Sequence, residues 1–285
     1  MLKPLSYELL GLFVLGVLWV NTLLVVAAAY KEIAALSALA RRFVPLGARR
    51  EGTGLVVGRV TRGDGEGRAL AAHVVPQVGR LAQGEEPVVL FEDRPAEGAS
   101  FGGAIEVEAD GRTLEIAPHK GAGVEVWHGR DTLEAAAACP SAEAFDAALP
   151  DARKARGFSR DVKTTIPEGN VIYAFGALTR DGEATRLTPA EDGTLILSTI
   201  DPRSFCGPKI RLAWLFMAGA LALAAGVTAL ALHDPIVSTT SKLGGVLGLA
   251  FFLLVQPAGT SLRDALARPS AAALRGEWRR PGRPR

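Results

Sequence analysis

One short motif in the sequence has the residue types of a nucleophilic catalytic centre. Gly98-Ala99-Ser100-Phe101-Gly102 spells G-x-S-x-G, the nucleophile elbow whose serine sits on a sharp turn between a strand and a helix. The residues that follow, 103–107, have the pattern of a strand instead, and His119 and His128 fall into no convincing triad context. A glycine-rich hairpin is therefore the favoured interpretation, and a serine hydrolase that uses Ser100 stays open as an alternative.

Metal-ligating residue types occur in the same region. His119, His128 and Cys139 could be combined with Asp131 or Glu134, but zinc sites use ligands paired about two to five residues apart, and these spacings match no such pattern. The sequence also contains neither a P-loop nor a G-x-G-x-x-G, so a backbone cradle for phosphate is missing. We expect no catalytic residue, no metal site and no cofactor.

Arginines are concentrated near the C-terminus, where Trp278 is the only aromatic residue. The residues concerned are Arg275, Arg279, Arg280 and Arg283. Each Lys or Arg beside an anionic leaflet contributes about 1 kcal/mol of binding, and apolar runs precede this tail. Contact with anionic lipid, or a role as a topology signal, is favoured over binding of nucleic acid.

Long apolar runs restrict where these side chains can lie in a chain of 285 residues that is 48% hydrophobic. Leu9 to Tyr30 and Ile210 to Leu232 can each cross a hydrocarbon core about 30 Å thick, which takes roughly 20 helical residues. A third run, Leu243 to Val255, suits either a full crossing or a re-entrant or tilted segment. Ala27-Ala28-Ala29 resembles a signal-peptide cleavage site, but the run before it has transmembrane length, so we expect a retained anchor.

The number of crossings determines the side on which the central region lies. The net charge is only +2, but Lys and Arg cluster after the first and third runs, and such clusters favour the cytoplasmic side. Three crossings place the central region in the cytoplasm, whereas two crossings place it outside. The expected location is the cell (inner) membrane, with the bilayer as a partner.

Between the first two runs the sequence changes to short β-rich segments broken by glycine and Asp-Gly pairs. The segments are Leu55–Thr61, Val88–Glu92, Ala104–Ala109, Thr113–Ala117, Val124–Trp127, Val171–Leu178 and Thr194–Thr199. The exception is 131–148, which has a helical pattern with Ser141 placed as an N-cap and Pro150 at its end. The predicted fold is an α+β membrane protein with two or three transmembrane helices and a barrel-like, β-rich soluble domain.

An internal repeat marks the soluble region. Val57-Gly58-Arg59-Val60-Thr61-Arg62, followed by Asp64-Gly65-Glu66, matches 175–183 with one glycine inserted, and 109–116 resembles 191–197. Asp64 and Gly65, and likewise Asp181 and Gly182, are expected to form tight turns because these residue types tolerate positive φ. Two such units packed together would bury a core that neither could form alone.

The predicted domains follow from these patterns. Residues 1–50 form an anchor and juxtamembrane helix, 51–205 the soluble domain, 206–259 the second helix and third membrane segment, and 260–285 a basic tail. Within the soluble domain the repeat units cover about 52–118 and 165–202, and a helical insertion covers 131–156. Cys139 and Cys206 form either one disulfide bridge or, as favoured, two inert thiols.

The sequence also resembles a known family. Ala155-Arg156-Gly157-Phe158, then Thr165 to Gly176 with Ile166-Pro167-Glu168-Gly169, then Leu197-Ser198-Thr199 before a membrane helix, are similar to the membrane-associated domain of the GIDE/MULAN (BAM) type. The resemblance implies a membrane-proximal domain between two helices, and in eukaryotic members a RING that supports ubiquitin ligase activity.

This chain departs from the family at its C-terminal end. A RING needs eight Cys or His ligands for two zinc ions, and His233 is the only such residue after the second helix. We therefore expect a noncatalytic membrane-anchored binding or scaffold module with a protein partner or self-association. The alternative is an enzyme, either ubiquitin ligase-like through the family or a hydrolase through Ser100.

Overall fold

The computed structural model describes residues 4–47, 51–62, 72–82, 87–93, 100–101, 105–116, 123–181, 184–233, 239–269 and 276–281. The chain divides into two compact units. The helical unit comprises Met1–Arg41 and Arg203–Ala267, and the β unit comprises Arg42–Pro202 and Arg268–Arg285. The C-terminal segment therefore belongs to the same unit as the strands.

The elements follow one another in this order: α1 (Pro4–Arg42), β1 (Gly52–Arg62), β2 (Ala72–Leu81), β3 (Val89–Asp93), β4 (Ser100–Phe101), β5 (Ile105–Ala109), β6 (Arg112–Ile116), β7 (Gly123–Trp127), α2 (Arg130–Ala137), α3 (Ala142–Ala152), β8 (Phe158–Thr165), β9 (Val171–Asp181), β10 (Ala184–Thr188), β11 (Thr194–Ser198), α4 (Pro202–Ala231), α5 (Thr239–Leu266) and β12 (Glu277–Trp278). The mixed helix and strand content is that of the predicted α+β class.

Three helices in the described chain are long and apolar enough to cross a membrane: Gly11–Arg42, Pro202–Ala231 and Ser241–Leu266. The third apolar run, for which the sequence allowed a re-entrant segment, is one continuous helix of 28 residues. At 1.5 Å per residue it is about 42 Å long, more than a hydrocarbon core requires. Length therefore no longer distinguishes this run from the other two.

The helices of the helical unit alternate in direction. Near one end Trp19 of α1 donates from Nε1 to Thr228 Oγ1 of α4 at 3.0 Å. Near the other end Lys209 Nζ of α4 donates to the carbonyl oxygens of Ala265 and Ala267, at 2.6 and 2.8 Å. These contacts join the start of α4 to the end of α5, so the two helices run antiparallel.

Five strands of the β unit close a barrel in the order β1-β5-β6-β10-β9, and β9 pairs back with β1. The neighbouring strands are antiparallel except β6 and β10, which are parallel. Numbered within the barrel the order is 1-2-3-5-4-1, the Greek-key connectivity of an OB-fold barrel. β11 and β7 continue the sheet outward from β9.

The two copies of the repeat meet in this barrel as neighbouring antiparallel strands, β1 and β9. Gly58 pairs with Ile172, and Gly54 pairs with Gly176. In the repeat Gly58 corresponds to Gly176, and the same alignment matches Gly54 with Ile172. Exchanging the two copies therefore converts the Gly58–Ile172 pair into the Gly176–Gly54 pair. The ladder therefore has local twofold symmetry, and both copies line one buried core.

The Asp-Gly turns of the two copies connect their strands differently. Asp110 and Gly111 have φ of 52° and 71° and join β5 to β6 in a tight hairpin, as positive-φ residues at both central positions permit. In the second copy Gly193 has φ of 78°, but β10 and β11 each pair with β9 rather than with each other. The sequence similarity therefore preserves the turn but not the pairing.

A second, antiparallel sheet is built around β2, which pairs with β3, β4 and β8, while β12 pairs with β3. β2 is not among the strands predicted from the sequence, and its Pro76 is a residue type that disfavours a central strand. On one edge of β2 the pairing with β4 ends at Val74 and that with β3 begins at Gln77. Pro76 falls between these ladders, where its missing N–H removes no ladder hydrogen bond on that edge.

Helices α2 and α3 cover this second sheet. Leu133 and Ala137 of α2 pack with strand residues in one buried cluster, and Phe145 of α3, fully buried, lies in another. The Ser141 hydroxyl accepts a hydrogen bond from the backbone N–H of Ala144 at 3.1 Å, which confirms the predicted N-cap. Pro150 lies inside α3 and the helix ends at Ala152, so the helix continues two residues past the predicted stop.

Candidate interaction surfaces

Ser100 has the backbone of a strand residue. It lies in β4, antiparallel to β2, with Val74 as its partner. A nucleophile elbow requires a serine between a strand and a helix, whereas the next described element after β4 is the strand β5. Residues 94–99 and 102–104, and His119, lie outside the described residues. The strand pairing favours the hairpin interpretation of this motif.

The candidate metal ligands are separated. Among the described residues, no group of three His, Cys, Asp or Glu side chains could hold a metal ion. Glu134 forms an i,i+4 ion pair with Arg130 at 2.5 Å, and Asp131 lies in the first turn of the same helix. His128 is buried elsewhere in the β unit, as described below.

Cys139 and Cys206 are not joined in a disulfide. Cys139 Sγ donates to the carbonyl oxygen of Ser141 at 3.3 Å, and burial raises the pKa of its thiol. A thiol with a raised pKa stays protonated at neutral pH and is a poor nucleophile. Cys206 is buried in α4 of the helical unit, so the interpretation as two unreactive thiols is the one that this structure favours.

The turn and tail residues singled out in the sequence are only partly described. Asp64, Gly65, Gly182, Arg275 and Arg283 lie outside the described residues, and Asp181 is the last residue of β9. Arg279 forms an ion pair with Glu277, and Arg280 forms a two-pronged ion pair with Asp146 of α3. The roles predicted for these arginines in lipid contact or topology remain predictions.

A half-buried arginine links the C-terminal strand to the second sheet. Arg160 of β8 donates from Nε and Nη2 to Gln77 Oε1, at 3.2 and 2.9 Å, and from Nη1 to the carbonyl oxygen of Ala137 at 2.8 Å. Its Cζ lies 3.3 Å from the ring centroid of Phe91 and 5.0 Å from that of Trp278. Burial lowers the pKa of the guanidinium to about 10. We call these five residues the arginine cluster.

The hydrogen bonds of the arginine cluster leave little of the cation available to a ligand. Every acceptor that Arg160 contacts is a neutral oxygen, and aromatic rings cover the guanidinium plane, an arrangement that stabilises a desolvated cation. Trp278 also donates from Nε1 to the Ala137 carbonyl at 3.0 Å. The arginine cluster therefore has a structural role: its contacts hold β12 against β3 and α2.

All three places where the chain enters or leaves the β unit are attached to one strand, β7. The Phe43 ring meets that of Trp127 edge-on at 5.8 Å, and the Thr199 backbone N–H donates to the Trp127 carbonyl at 3.0 Å. Arg268 pairs with Glu125 of the same strand. We call residues 42–47, 125–128, 198–200 and 268–269 the junction. Trp127, with no exposed surface, lies at its centre.

His128 is a buried, incompletely bonded member of the junction. Its side chain is 2% exposed, and Nε2 has no hydrogen-bond partner among the described atoms. Nδ1 lies 3.5 Å from Thr199 Oγ1, and the backbone N–H donates to the Pro269 carbonyl at 2.9 Å. Burial lowers the pKa of the imidazole. The neutral ring therefore packs as part of the junction.

An ion pair beside an aromatic ring lies where the chain passes from α1 into the β unit. Arg42 Nη1 and Nη2 contact the two carboxylate oxygens of Asp192 at 2.8 and 3.0 Å, and the guanidinium lies 4.9 Å from the Phe175 ring centroid. The hydrogen bond from Arg42 comes first among the contacts that lower the pKa of Asp192 to about 2, followed by those from Thr194. Asp192 is therefore a charged carboxylate in the folded protein at neutral pH.

We expect Asp192→Asn to destabilise the β unit in a pH-dependent way. The folded pKa of Asp192 lies below its ordinary value of 3.8, so its contribution is complete above about pH 5 and is lost as the pH falls through about 2. The measurement is the melting temperature of the full chain in detergent from neutral to acidic pH. The gap between the melting temperatures of the wild type and Asp192→Asn should narrow on acidification, and a gap independent of pH would contradict the assignment.

The outer wall of the barrel carries an exposed apolar patch at β1 and β9. Val57 is 42% exposed and Val171 is 44% exposed. Tyr173 lies opposite Val57 and Arg59 lies opposite Val171 in the register, so all four side chains share one face. Arg59 donates from Nη1 to the Gly169 carbonyl at 3.2 Å, which holds its stem beside the patch. We call these four residues the wall patch.

The face formed by β5 and β6 is acidic. Glu106 lies directly opposite Glu115, and Glu108 lies opposite Thr113. In OB-fold proteins the corresponding face, strands 2 and 3, binds oligonucleotides, and such binding needs Lys and Arg to neutralise phosphate. Arg186 of β10 forms an ion pair with Glu115 at 2.9 Å. The described side chains of this face therefore carry no excess of Lys and Arg.

Two amide side chains meet between α1 and α5 of the helical unit. Gln256 Nε2 donates to Asn21 Oδ1. Asn21 is 9% exposed and its Nδ2 has no hydrogen-bond partner among the described atoms, whereas Gln256 is exposed on the surface of α5. The partner of Asn21 therefore lies in the third apolar run.

Comparison of the chain with protein-family models, with curated proteins and with solved structures finds no match. The resemblance to the GIDE/MULAN type accordingly depends on its sequence motifs alone. Of those motifs, the Ile166–Gly176 segment forms the turn into β9 and the first half of that strand, and Leu197–Thr199 forms the end of β11 and the start of the second connection.

Proposed function

We propose that the protein is a noncatalytic, membrane-anchored scaffold that presents its barrel domain to a protein partner at the cytoplasmic surface of a membrane. The observation that carries this proposal is the junction, where all three connections to apolar helices contact β7 within the β unit. A domain on a flexible tether needs one such connection. Three connections, each packed within the β unit, instead support a domain attached to the membrane at three points.

The distribution of positive charge supports the cytoplasmic side. Each of the three apolar helices has one end that leads into the β unit. Basic residues at or near those ends are Lys31, Arg41, Arg42, Arg203, Lys209, Arg211 and Arg263. The opposite ends carry Lys3 and Lys242. An excess of Lys and Arg marks cytoplasmic ends, so three crossings place the β unit in the cytoplasm.

The wall patch is the surface that we assign to the partner. It combines two exposed valines, an aromatic ring and an arginine, and interface centres are enriched in aromatic residues and arginine. The acidic face of β5 and β6 borders it across the Arg59–Glu108 pair. A partner with an apolar contact surrounded by basic residues would complement both regions.

The side of the membrane is tested by labelling a single cysteine. In a chain with Cys139→Ser and Cys206→Ala, we expect Thr113→Cys, at an exposed site of the barrel, to react with an impermeant maleimide only after the cells are opened. Labelling in intact cells would reverse the proposed orientation. If alkaline carbonate extracted the protein from the membrane, that result would contradict the proposed membrane anchor.

The partner surface is tested by photocrosslinking in the same cells. A photoreactive residue at Val57 or Val171 should give a reproducible crosslinked protein, and the same residue at Thr113, which is exposed but lies outside the wall patch, should not. Val57→Arg should reduce the crosslink from Val171 by at least about tenfold, because a buried, unpaired charge costs several kcal/mol at an interface. Equal crosslinking at all three sites, or at none, would contradict the assignment.

A further inference from the structure

We propose that a second copy of this chain docks on the outward face of α5 through Gln256, which makes the protein a dimer within the membrane. The inference rests on the proposed membrane insertion. Its starting observation is that Gln256, a polar side chain, is exposed in the stretch of α5 between Lys242 and Arg263, where the other large exposed side chains are apolar.

The depth of Gln256 follows from the charges on α5. Lys242 and Arg263 enclose 20 uncharged residues, which in a helix span about 30 Å, the thickness of the hydrocarbon core. Gln256 lies 14 residues after Lys242 and seven before Arg263. That places it about 10 Å inside the level of Arg263, well within the hydrocarbon, where water is scarce and an unsatisfied amide is unfavourable.

The bond to Asn21 leaves half of this amide unused. Gln256 Nε2 donates to Asn21 Oδ1, and Gln256 Oε1 accepts no hydrogen bond among the described residues. One helical turn further along α5, the Thr260 hydroxyl donates to the backbone carbonyl oxygen of Gln256 at 3.2 Å. Asn21 Nδ2 also lacks a partner among the described atoms but is buried, whereas the Gln256 side chain is exposed and can reach another helix.

The geometry of α5 provides a seam for another helix. Exposed residues recur at alternating spacings of four and three along the helix: Val246, Leu249, Leu253, Gln256 and Thr260. Val246, Leu249 and Leu253 are 67%, 61% and 62% exposed. This 3.5-residue repeat is the pattern with which membrane helices pack at about 20°, and Gln256 occupies one position of it.

A second copy is the occupant that the chemistry favours. A carboxamide has both a donor and an acceptor, so two Gln256 side chains related by a twofold axis can each donate to the other. A polar residue at a single seam position also sets the register of a helix pair. A lipid tail offers neither donor nor acceptor, and the α4 face with exposed Gly219, Ala222 and Gly226 has no polar side chain to specify a partner.

Disulfide crosslinking in native membranes tests this proposal with the full chain. In a chain with Cys139→Ser and Cys206→Ala, Leu249→Cys and Leu253→Cys should give covalent dimers on oxidation. Leu215→Cys, equally exposed at 71% but on α4, is the matched control and should stay monomeric. Dimers at Leu215→Cys alone, or at none of the three positions, would overturn the proposal.

The role of the amide is tested separately. Adding Gln256→Leu to Leu253→Cys should lower the dimer fraction about threefold to tenfold, the effect of losing an interhelical hydrogen bond, whereas Gln256→Asn should retain dimers. An unchanged dimer fraction in Gln256→Leu would overturn the assignment to the amide. Resistance to alkaline carbonate is measured on every variant: loss of that resistance refutes the proposed membrane anchor, whereas retained resistance without dimers refutes only the docking of a second copy.

Discussion

Replacing Gly176 by alanine should lower the free energy of unfolding of the β unit by about 3 kcal/mol, the upper part of the usual range for overpacking. A Cβ added at Gly176 would lie closer than 3.0 Å to the carbonyl oxygen of Thr188, and one added at Gly58 would lie 2.7 Å from that of Glu108. A backbone carbonyl cannot rotate away as a side-chain end can. Both glycines therefore allow the neighbouring strand, β10 or β5, to approach.

The measurement is the melting temperature of the full chain in detergent, where a loss of this size corresponds to a decrease of roughly 10 °C. Gly58→Ala should behave like Gly176→Ala, because the two glycines are counterparts in the repeat. Gly129→Ala is the matched control: nothing lies within 4 Å of its added Cβ, so only its N-cap preference is affected. Melting temperatures equal to that of the control would show that the barrel tolerates wider strand spacing.

Trp278→Ala should detach the C-terminal strand and destabilise the second sheet by about 3–5 kcal/mol, the usual cost of emptying a buried aromatic site. The ring is 8% exposed and contacts Phe91, with 5.0 Å between ring centroids, and Phe158 at 5.7 Å. Its loss would also uncover the Arg160 cation. The expected readouts are a lower melting temperature and rapid trypsin cleavage after Arg279.

Trp278→Phe separates the two contributions of this residue. It keeps an aromatic ring over Arg160 but removes the Nε1 hydrogen bond to Ala137, so we expect a loss of only about 1 kcal/mol and slow cleavage. If Trp278→Ala were cleaved no faster than the wild type, the contact of β12 with β3 would not control access to this segment.

The helices were predictable because their signals are local. Apolar runs of membrane length become α1 and α4, and a serine before a helical pattern becomes the N-cap of α3. The strands β1, β3, β5, β6, β7, β9 and β11 were predicted from β-branched residues between turn signals. In each case the information lies within a few neighbouring residues, where hydropathy, period and turn chemistry act.

Other strands have no such local signal. β8, with the sequence Phe158 to Thr165, is exposed at alternate positions and carries three charged side chains; it becomes a strand because eight of its residues pair with β2. β12 has two residues and depends on β3 for its pairing and on Arg160 for its contact with Trp278. Pairing between distant segments overrides weak local preference.

The sequence by itself determined the long apolar helices and the β-rich middle with its repeat and hairpin turn. Only the tertiary structure decided that β1 and β9 pair about a local twofold axis, that the chain connections meet at Trp127, and that Gln256 meets Asn21 across the helical unit. The physical reason is distance along the chain. Residues more than 200 positions apart, such as Asn21 and Gln256, come together only when the helices pack. No local sequence pattern indicates which face of one element will contact which face of another.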